Sequence, residues 1–190
     1  MRVLGVDPGL GRTGVAIVDG APGHLQLVHA ACLDTPADAD DAQRLHRLST
    51  QLAATIALHR PDVAAVERLF FSTNRTTAMR VSEARGVLLC AVAAAGVAAV
   101  EYTPNEVKES VAGYGSARKQ QVTRMVVRTL GVERIAGPDD VTDACAIAIC
   151  HHHRAAIALQ LRGARAPRTG TTALDAAVAA ARAQLAAGRA

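Results

Sequence analysis

The chain has 190 residues, half of them apolar, and a net charge of +4, which suits one compact domain with a short appendage and excludes a disordered acidic chain. No run of 18 apolar residues escapes interruption by charge or glycine, so no membrane-spanning helix is expected. Cys32, Cys90, Cys145 and Cys150 form no CxxC pair, which argues against a disulfide framework and for buried free thiols in a reducing cytoplasm.

The N-terminus enters an apolar segment with no basic-then-apolar leader, so the expectation is a cytoplasmic protein. Val3-Leu4-Gly5-Val6 reads as a buried strand ending at Asp7. Residues 13–18 form a second, stopped by the turn pair Asp19-Gly20, and 25–33 a third. Their short Gly/Pro connections predict an antiparallel meander. The period then changes. Leu45, Leu48, Leu52 and Ile56 recur at helical spacing within 40–59, and Pro61 follows. Val63-Ala64-Ala65-Val66 is a fourth strand closed by Glu67. A helix over 76–95 carries Met79, Val87, Leu88 and Val92, and a fifth strand covers 97–100. Pro104 opens a short helix, 113–116 is a loop, and further helices cover 117–130 and 140–161. The order β-β-β-α-β-α-β-α-α-α predicts a mixed five-stranded sheet flanked by helices on both faces, the ribonuclease-H-like order of the α/β class. Residues 1–161 form the expected domain. The Ala/Arg-rich tail 162–190 is expected to be largely disordered, with 172–185 its one helical stretch.

Gly9-Leu10-Gly11-Arg12-Thr13-Gly14 spells the GxGxxG of a dinucleotide-binding turn, and Asp34 lies 20 residues on. That turn must open a helix, whose N-terminal N–H groups meet the pyrophosphate. Here Val15-Ala16-Ile17-Val18 follows, a strand. The glycines are instead expected to tighten a hairpin and leave room for a ligand beside Asp7. Asp7 itself has two readings, a cap on the N–H groups of Gly9 or Leu10 or a metal ligand.

Glu67 ends the fourth strand as Asp7 ends the first, and the topology makes those strands parallel neighbours. Asp140 and Asp143 are three apart at the start of the last helix, hence on one face. Four convergent carboxylates repel unless divalent cations lie among them, and hard oxygen ligands suit Mg²⁺ or Mn²⁺. Two such ions about 4 Å apart are the arrangement for phosphodiester hydrolysis. His151-His152-His153 does not chelate one ion, because adjacent helical side chains diverge; a polar helix end is the expectation.

Phe70 and Phe71 are the only phenylalanines and follow Glu67 closely, in a segment leading to Arg75. One exposed ring and one buried ring are expected, the exposed one stacking on a base. The only lysines, Lys108 and Lys119, flank Gly113-Tyr114-Gly115-Ser116, with Arg118, Arg124 and Arg128 beyond. Lysine is a compact point charge suited to phosphate, so Phe70, Phe71, Arg75, Lys108, Tyr114, Arg118 and Lys119 are the candidate DNA-binding residues.

In Gly5-Val6-Asp7-Pro8-Gly9, Val66-Glu67-Arg68-Leu69-Phe70, Ala84-Arg85-Gly86-Val87, Val107-Lys108, Gly113-Tyr114-Gly115-Ser116-Ala117 and Asp140-Val141-Thr142-Asp143-Ala144, the chain resembles the RuvC family of Holliday junction resolvases over about residues 1–160. Glu83 departs from the Gln expected before Ala-Arg-Gly. The resemblance implies a homodimeric, Mg²⁺-dependent endonuclease. It cuts opposing strands of a four-way DNA junction, leaves ligatable nicks, and works with the RuvA–RuvB branch-migration complex. It makes Asp7, Glu67, Asp140 and Asp143 the catalytic metal ligands, Phe70 the stacking aromatic, and Lys108 and Lys119 DNA contacts. The rival classes are a catalytically idle junction-binding module and an actin-like nucleotide-binding protein. The latter needs two related lobes, and the four acids argue against the former.

Overall fold

The computed structural model describes residues 1–68 and 75–165, with side chains for 75–77 and 162–165 excepted. The expectations for Phe70 and Phe71, for the Arg75 side chain and for the tail therefore lie outside the described residues. Met1–Ala156 form one compact unit; the second, Ile157–Ala190, is represented by the last turns of the final helix.

Three strands open the chain: β1 (Arg2–Asp7), β2 (Arg12–Ala21) and β3 (His24–Asp34). The helix α1 (Asp41–His59), the strand β4 (Val63–Glu67), the helix α2 (Arg75–Ala94) and the strand β5 (Ala98–Tyr102) follow. Then come α3 (Pro104–Ala112), α4 (Lys119–Leu130) and α5 (Asp139–Arg165). The sheet order is β3-β2-β1-β4-β5, with β1 antiparallel to β2 and parallel to β4. The expected mixed five-stranded sheet is therefore present, and each face carries its own core.

Strand alternation assigns the faces. Leu4, Val6, Val15, Ile17, Ala64 and Val66 pack with Leu48, Leu52 and Ile56 of α1 and Leu88 of α2. Val3, Ala16, Val18, Val63 and Ala65 pack with α5 residues Ala144 to Cys150 and with Val122 and Val126 of α4. Asp7 continues the series Val3, Gly5 and Glu67 the series Val63, Ala65. Both acids therefore belong to the α5 face.

Several boundaries differ from expectation for local reasons. β2 runs past Asp19-Gly20 to Ala21 and the chain turns at Pro22-Gly23. A register shift between Ile17 and Val18 and a positive φ of 121° at Gly20 absorb the irregularity. Met79 is 64% exposed; the buried positions of α2 are Ala84, Leu88, Ala91 and Val92. Capping sharpens other ends. Asp40 caps α1 by accepting from the Gln43 N–H, and Thr103 and Glu106 form a reciprocal box around Pro104. Of the thiols, Cys145 and Cys150 are buried as expected, but Cys90 is exposed and Cys32 half-buried.

The histidine run is not a polar helix end. α5 continues beyond it, and His151 and His152 are buried. His152 Nε2 lies 3.2 Å from the Val18 carbonyl, and His151 Nδ1 2.9 Å from the Tyr102 hydroxyl. Position 152 stands one turn beyond Ala148 on the core-facing side. The rings are buried because they find backbone and hydroxyl partners there. Burial holds both pKa values below the usual histidine range.

Gly9 keeps the opening hairpin tight, since a Cβ there would lie 2.3 Å from the Arg12 carbonyl oxygen, whereas Gly5 and Gly14 serve helix packing. A Cβ on Gly14 would lie 1.8 Å from the Asp140 carbonyl oxygen, and one on Gly5 2.0 Å from that of Ala144. The α5 backbone thus rests directly on β1 and β2, and the space at Gly14 is taken by the helix rather than left for a ligand. A Cβ on Gly11 would meet only Arg44 Nη2 at 3.7 Å. Gly14→Ala is expected to cost roughly 3 kcal/mol or more, because a backbone oxygen cannot yield as a side chain does. Gly11→Ala should stay within about 0.5 kcal/mol. Urea melts of the two variants measure the contrast, and equal losses would refute the helix-contact account.

Candidate active site

Asp7 and Glu67 stand at the C-terminal ends of adjacent parallel strands, one step beyond the paired Val6 and Val66. Asp139, Asp140 and Asp143 occupy the first turns of α5, whose N-terminal dipole favours carboxylates. Because α5 contacts Gly5 and Gly14, these turns are held beside the end of β1. The four acids singled out in the sequence thus stand at one end of the sheet.

The charges of Glu67, Asp143 and Asp140 all act on Asp7, whose carboxyl also hydrogen-bonds to that of Glu67. Burial, then those three neighbours, push the Asp7 pKa up to about 8. Glu67 is raised too, chiefly by burial; Asp143 adds to this, while the bond to Asp7 and the charges of Lys108 and Lys119 oppose it. Two carboxyl groups that share a proton titrate as a pair. The alternative role for Asp7, capping the turn, is not what the structure has. The Gly9 N–H donates to Thr13 Oγ1 at 3.2 Å, and Thr13 Oγ1 donates back to the Gly9 carbonyl at 2.8 Å. A buried threonine clasps the turn, and Asp7 is left for the acid cluster.

Basic residues border the cluster on two sides. A cavity of about 210 Å³ is lined by Glu67, Lys108, Lys119 and Asp143, with Pro104, Val107 and Val122 among its apolar walls. Lys119 Nζ lies 2.9 Å from Asp143 and 3.2 Å from Asp139. The two lysines singled out in the sequence thus join the acids, because α3 places Lys108 and the first turn of α4 places Lys119 on this rim. Tyr114 and Arg118 are exposed on the loop and helix start beside them. On the other side, Arg12 Nε is 3.3 Å from Asp140 Oδ2. That oxygen is nevertheless buried without a hydrogen bond, so the pair is a charge contact with poor donor alignment.

These features fit a divalent cation. Hard carboxylate oxygens stand at one end of the sheet, one buried oxygen lacks a donor, and Asp7 is costly to ionise without a positive charge beside it. Among the described residues, no three of the acids already gather around one point. Lys119 instead pairs with Asp143 and Asp139.

Residues that sequence reasoning did not single out are Arg12, Asp139 and the pair Arg85–Glu101. Arg85 and Arg68 both meet Glu101 on β5. Nothing in the periodicity marks Arg12, because its relation to Asp140 spans the hairpin and the last helix.

A family profile described as crossover junction endodeoxyribonuclease RuvC matches residues 3–151. A curated protein of that description from Chloroflexus aurantiacus is 50% identical over 155 residues, covering 82% of this chain and 94% of its own. One from Chloroflexus aggregans is 48% identical over the same length, with the same coverage. The structure of T. thermophilus RuvC in complex with a Holliday junction substrate superposes with a TM-score of 0.80 at 32% identity, covering 83% of this chain and 96% of that one. The ribonuclease-H-like fold is thereby shown, the nucleotide-binding and idle-module alternatives are not favoured, and this chain belongs to the RuvC family of crossover junction endodeoxyribonucleases.

Proposed function

We propose that this chain resolves four-way DNA junctions by metal-dependent hydrolysis of phosphodiester bonds at Asp7, Glu67, Asp140 and Asp143. The observation that carries this reading is that Asp7 and Glu67 end adjacent parallel strands, with Asp140 and Asp143 on the first turns of α5 close enough for their charges to act on Asp7, in a chain of a family named for junction cleavage. The T. thermophilus relative with its Holliday junction substrate supports the choice of DNA structure.

Asp7, Glu67, Asp140 and Asp143 would hold Mg²⁺, or Mn²⁺ in its place, as two ions, which would supply Lewis-acid stabilisation of phosphoryl charge and activation of a water. The residues of the chain do the rest. Asp7 and Glu67 would serve as ligands in their ionised form. Lys119, which offsets Asp143 and Asp139 in the free protein, would meet a DNA phosphate. Lys108 takes a neighbouring phosphate, and Tyr114 and Arg118 extend the contact surface. Phe70, Phe71 and Arg75, adjoining Glu67 in sequence, are assigned to the unpaired bases and backbone at the junction centre. Residues 1–161 carry the activity, and 162–190 are an appended tail.

The junction has approximate twofold symmetry, so a C2 homodimer presents two identical sites to two equivalent strands. The outer face of α2, with exposed Met79 and Cys90, and the exposed start of β5, Ala98 to Val100, supply apolar surface for such an interface. The RuvA–RuvB branch-migration complex is the proposed partner, acting with this protein in the cytoplasm. Among the described residues, no helix is long and apolar enough to cross a membrane.

Asp7→Asn is expected to bind a synthetic four-way junction with unchanged affinity and to lose at least about a thousandfold in cutting rate with Mg²⁺. Normal cutting by the variant would remove Asp7 from the metal site. The raised Asp7 pKa also sets a stability profile for the metal-free protein. Protonated Asp7 is the form the fold favours, so stability is full below the unfolded carboxyl value of about 4. It falls as pH rises through about 8. Thermal melts should show this decline in wild type, its absence in Asp7→Asn, and its reversal by Mg²⁺ at pH about 8; a flat wild-type profile would contradict it. Sedimentation at micromolar concentration should give a dimer, and a monomer that still makes paired cuts would refute the C2 reading. Phe70→Ala should bind junctions and cut them poorly, and unimpaired cutting would return the ring to a packing role.

A further inference from the structure

A second basic cavity lies on the far side of Asp140 from the lysines. It measures about 400 Å³ and is lined by Gly9, Leu10, Gly11, Arg12, Arg44, Arg80, Val81 and Asp140. Its floor holds a buried cation. Arg44 is only 8% exposed, and it is fixed by Nε donation to Thr35 Oγ1 at 3.0 Å and by Nη1 at 3.4 Å from Asp41. Thr35 in turn donates to the Leu10 carbonyl, which ties the arginine to the β1–β2 turn. Among the described residues Nη2 of Arg44 has no hydrogen-bond partner; it faces Gly11, whose missing side chain leaves it open. At the rim, Arg80 of α2 and Arg12 of β2 keep 55% and 59% of their side chains exposed. Among the described residues, Arg80 forms an ion pair with Asp41 alone, itself shared with Arg44. Three guanidinium groups thus face one opening against two carboxylates, and one of those, Asp140, belongs to the proposed cation site.

We infer that the Arg12–Arg44–Arg80 cavity is a phosphate subsite that seats a backbone phosphate of the cleaved strand flanking the scissile one. The inference rests on the proposed nuclease function and adds to it a second point of attachment. Guanidinium forks match the oxygens of a phosphodiester in pairs. A buried arginine that lines the cavity, fixed at Nε and Nη1 with Nη2 beside Gly11, is already in place for such a contact. Asp143 lines the lysine cavity and Asp140 the arginine cavity, three residues apart on one helix face and so about 4.5 Å along its axis. Phosphates of one strand recur about every 3.4 Å along a duplex axis. A strand crossing the acids is then gripped by lysines on one side and arginines on the other. The scissile phosphate is set over the carboxylates by its neighbours, which is how phosphate contacts fix register without reading sequence.

The test uses four-way junctions that carry a single uncharged methylphosphonate at each position near the cut in turn, with affinity as the readout. Arg80→Gln is the variant, because Arg80 touches no acid of the cluster and lies at the surface; Arg80→Lys keeps the charge. At one flanking position the substitution should weaken wild-type binding about three- to tenfold. Arg80→Gln should lose a similar factor on unmodified DNA, lose nothing further at that position, and show a salt slope shallower by about one. Arg80→Lys should retain the positional sensitivity. Equal sensitivity of wild type and Arg80→Gln at every position would overturn the subsite. Millimolar inorganic phosphate at constant ionic strength should leave wild-type affinity unchanged; competition seen in wild type and lost in Arg80→Gln would reassign the cavity to a free anion. Affinity is read without cleavage, so a protein that bound junctions and never cut would sink the nuclease reading alone.

Discussion

The contact between the α5 backbone and two strand glycines is the constraint on which the site depends. Gly5 and Gly14 let the carbonyls of Ala144 and Asp140 come down onto the sheet, where any Cβ would collide. That approach fixes the start of α5 against the end of β1 and so brings Asp140 and Asp143 within reach of Asp7. It also explains why the face opposite α1 is built from small residues, Ala16, Ala65, Ala144 and Ala148 among them. Bulk at any of these would lift the helix, and the acids with it.

Bringing four carboxylates together works against folding, and the structure shows how the molecule bears the cost. Burial and neighbouring charges favour the protonated form of Asp7, Lys119 holds Asp143 and Asp139, and Arg12 approaches Asp140. In the proposed function a cation and a DNA strand would replace these arrangements, and the side-chain cations that offset the acids in the free protein would meet phosphates. The lysine cavity is lined by Asp143 and the arginine cavity by Asp140, so each basic cavity borders the cluster.

Much of this was legible residue by residue. Strand endings at Asp7 and Glu67, the three-residue spacing of Asp140 and Asp143, and the rarity of lysine all pointed to the groups that meet. The errors have physical causes. Met79 obeys the helical period of α2 yet is exposed, since periodicity finds a face without saying what covers it. His151 and His152 are polar by type but buried, because Tyr102 and the Val18 carbonyl offer partners that no local pattern reveals. The hairpin glycines were credited with making room for a ligand, whereas Gly14 makes room for a helix more than a hundred residues away.

The amino-acid sequence by itself determined the element order, the two-residue alternation that turns Asp7 and Glu67 to one face, and the helix start that carries Asp140 and Asp143. These follow from local stereochemistry and the hydrophobic period, which are properties of short segments. The tertiary structure alone decided that Thr13 rather than Asp7 clasps the turn, that Lys119 reaches Asp143 and Asp139, and that Arg12, Arg44 and Arg80 open onto one cavity. Those are meetings between distant segments. Their geometry depends on how closely two backbones pack, a quantity no short window of sequence contains.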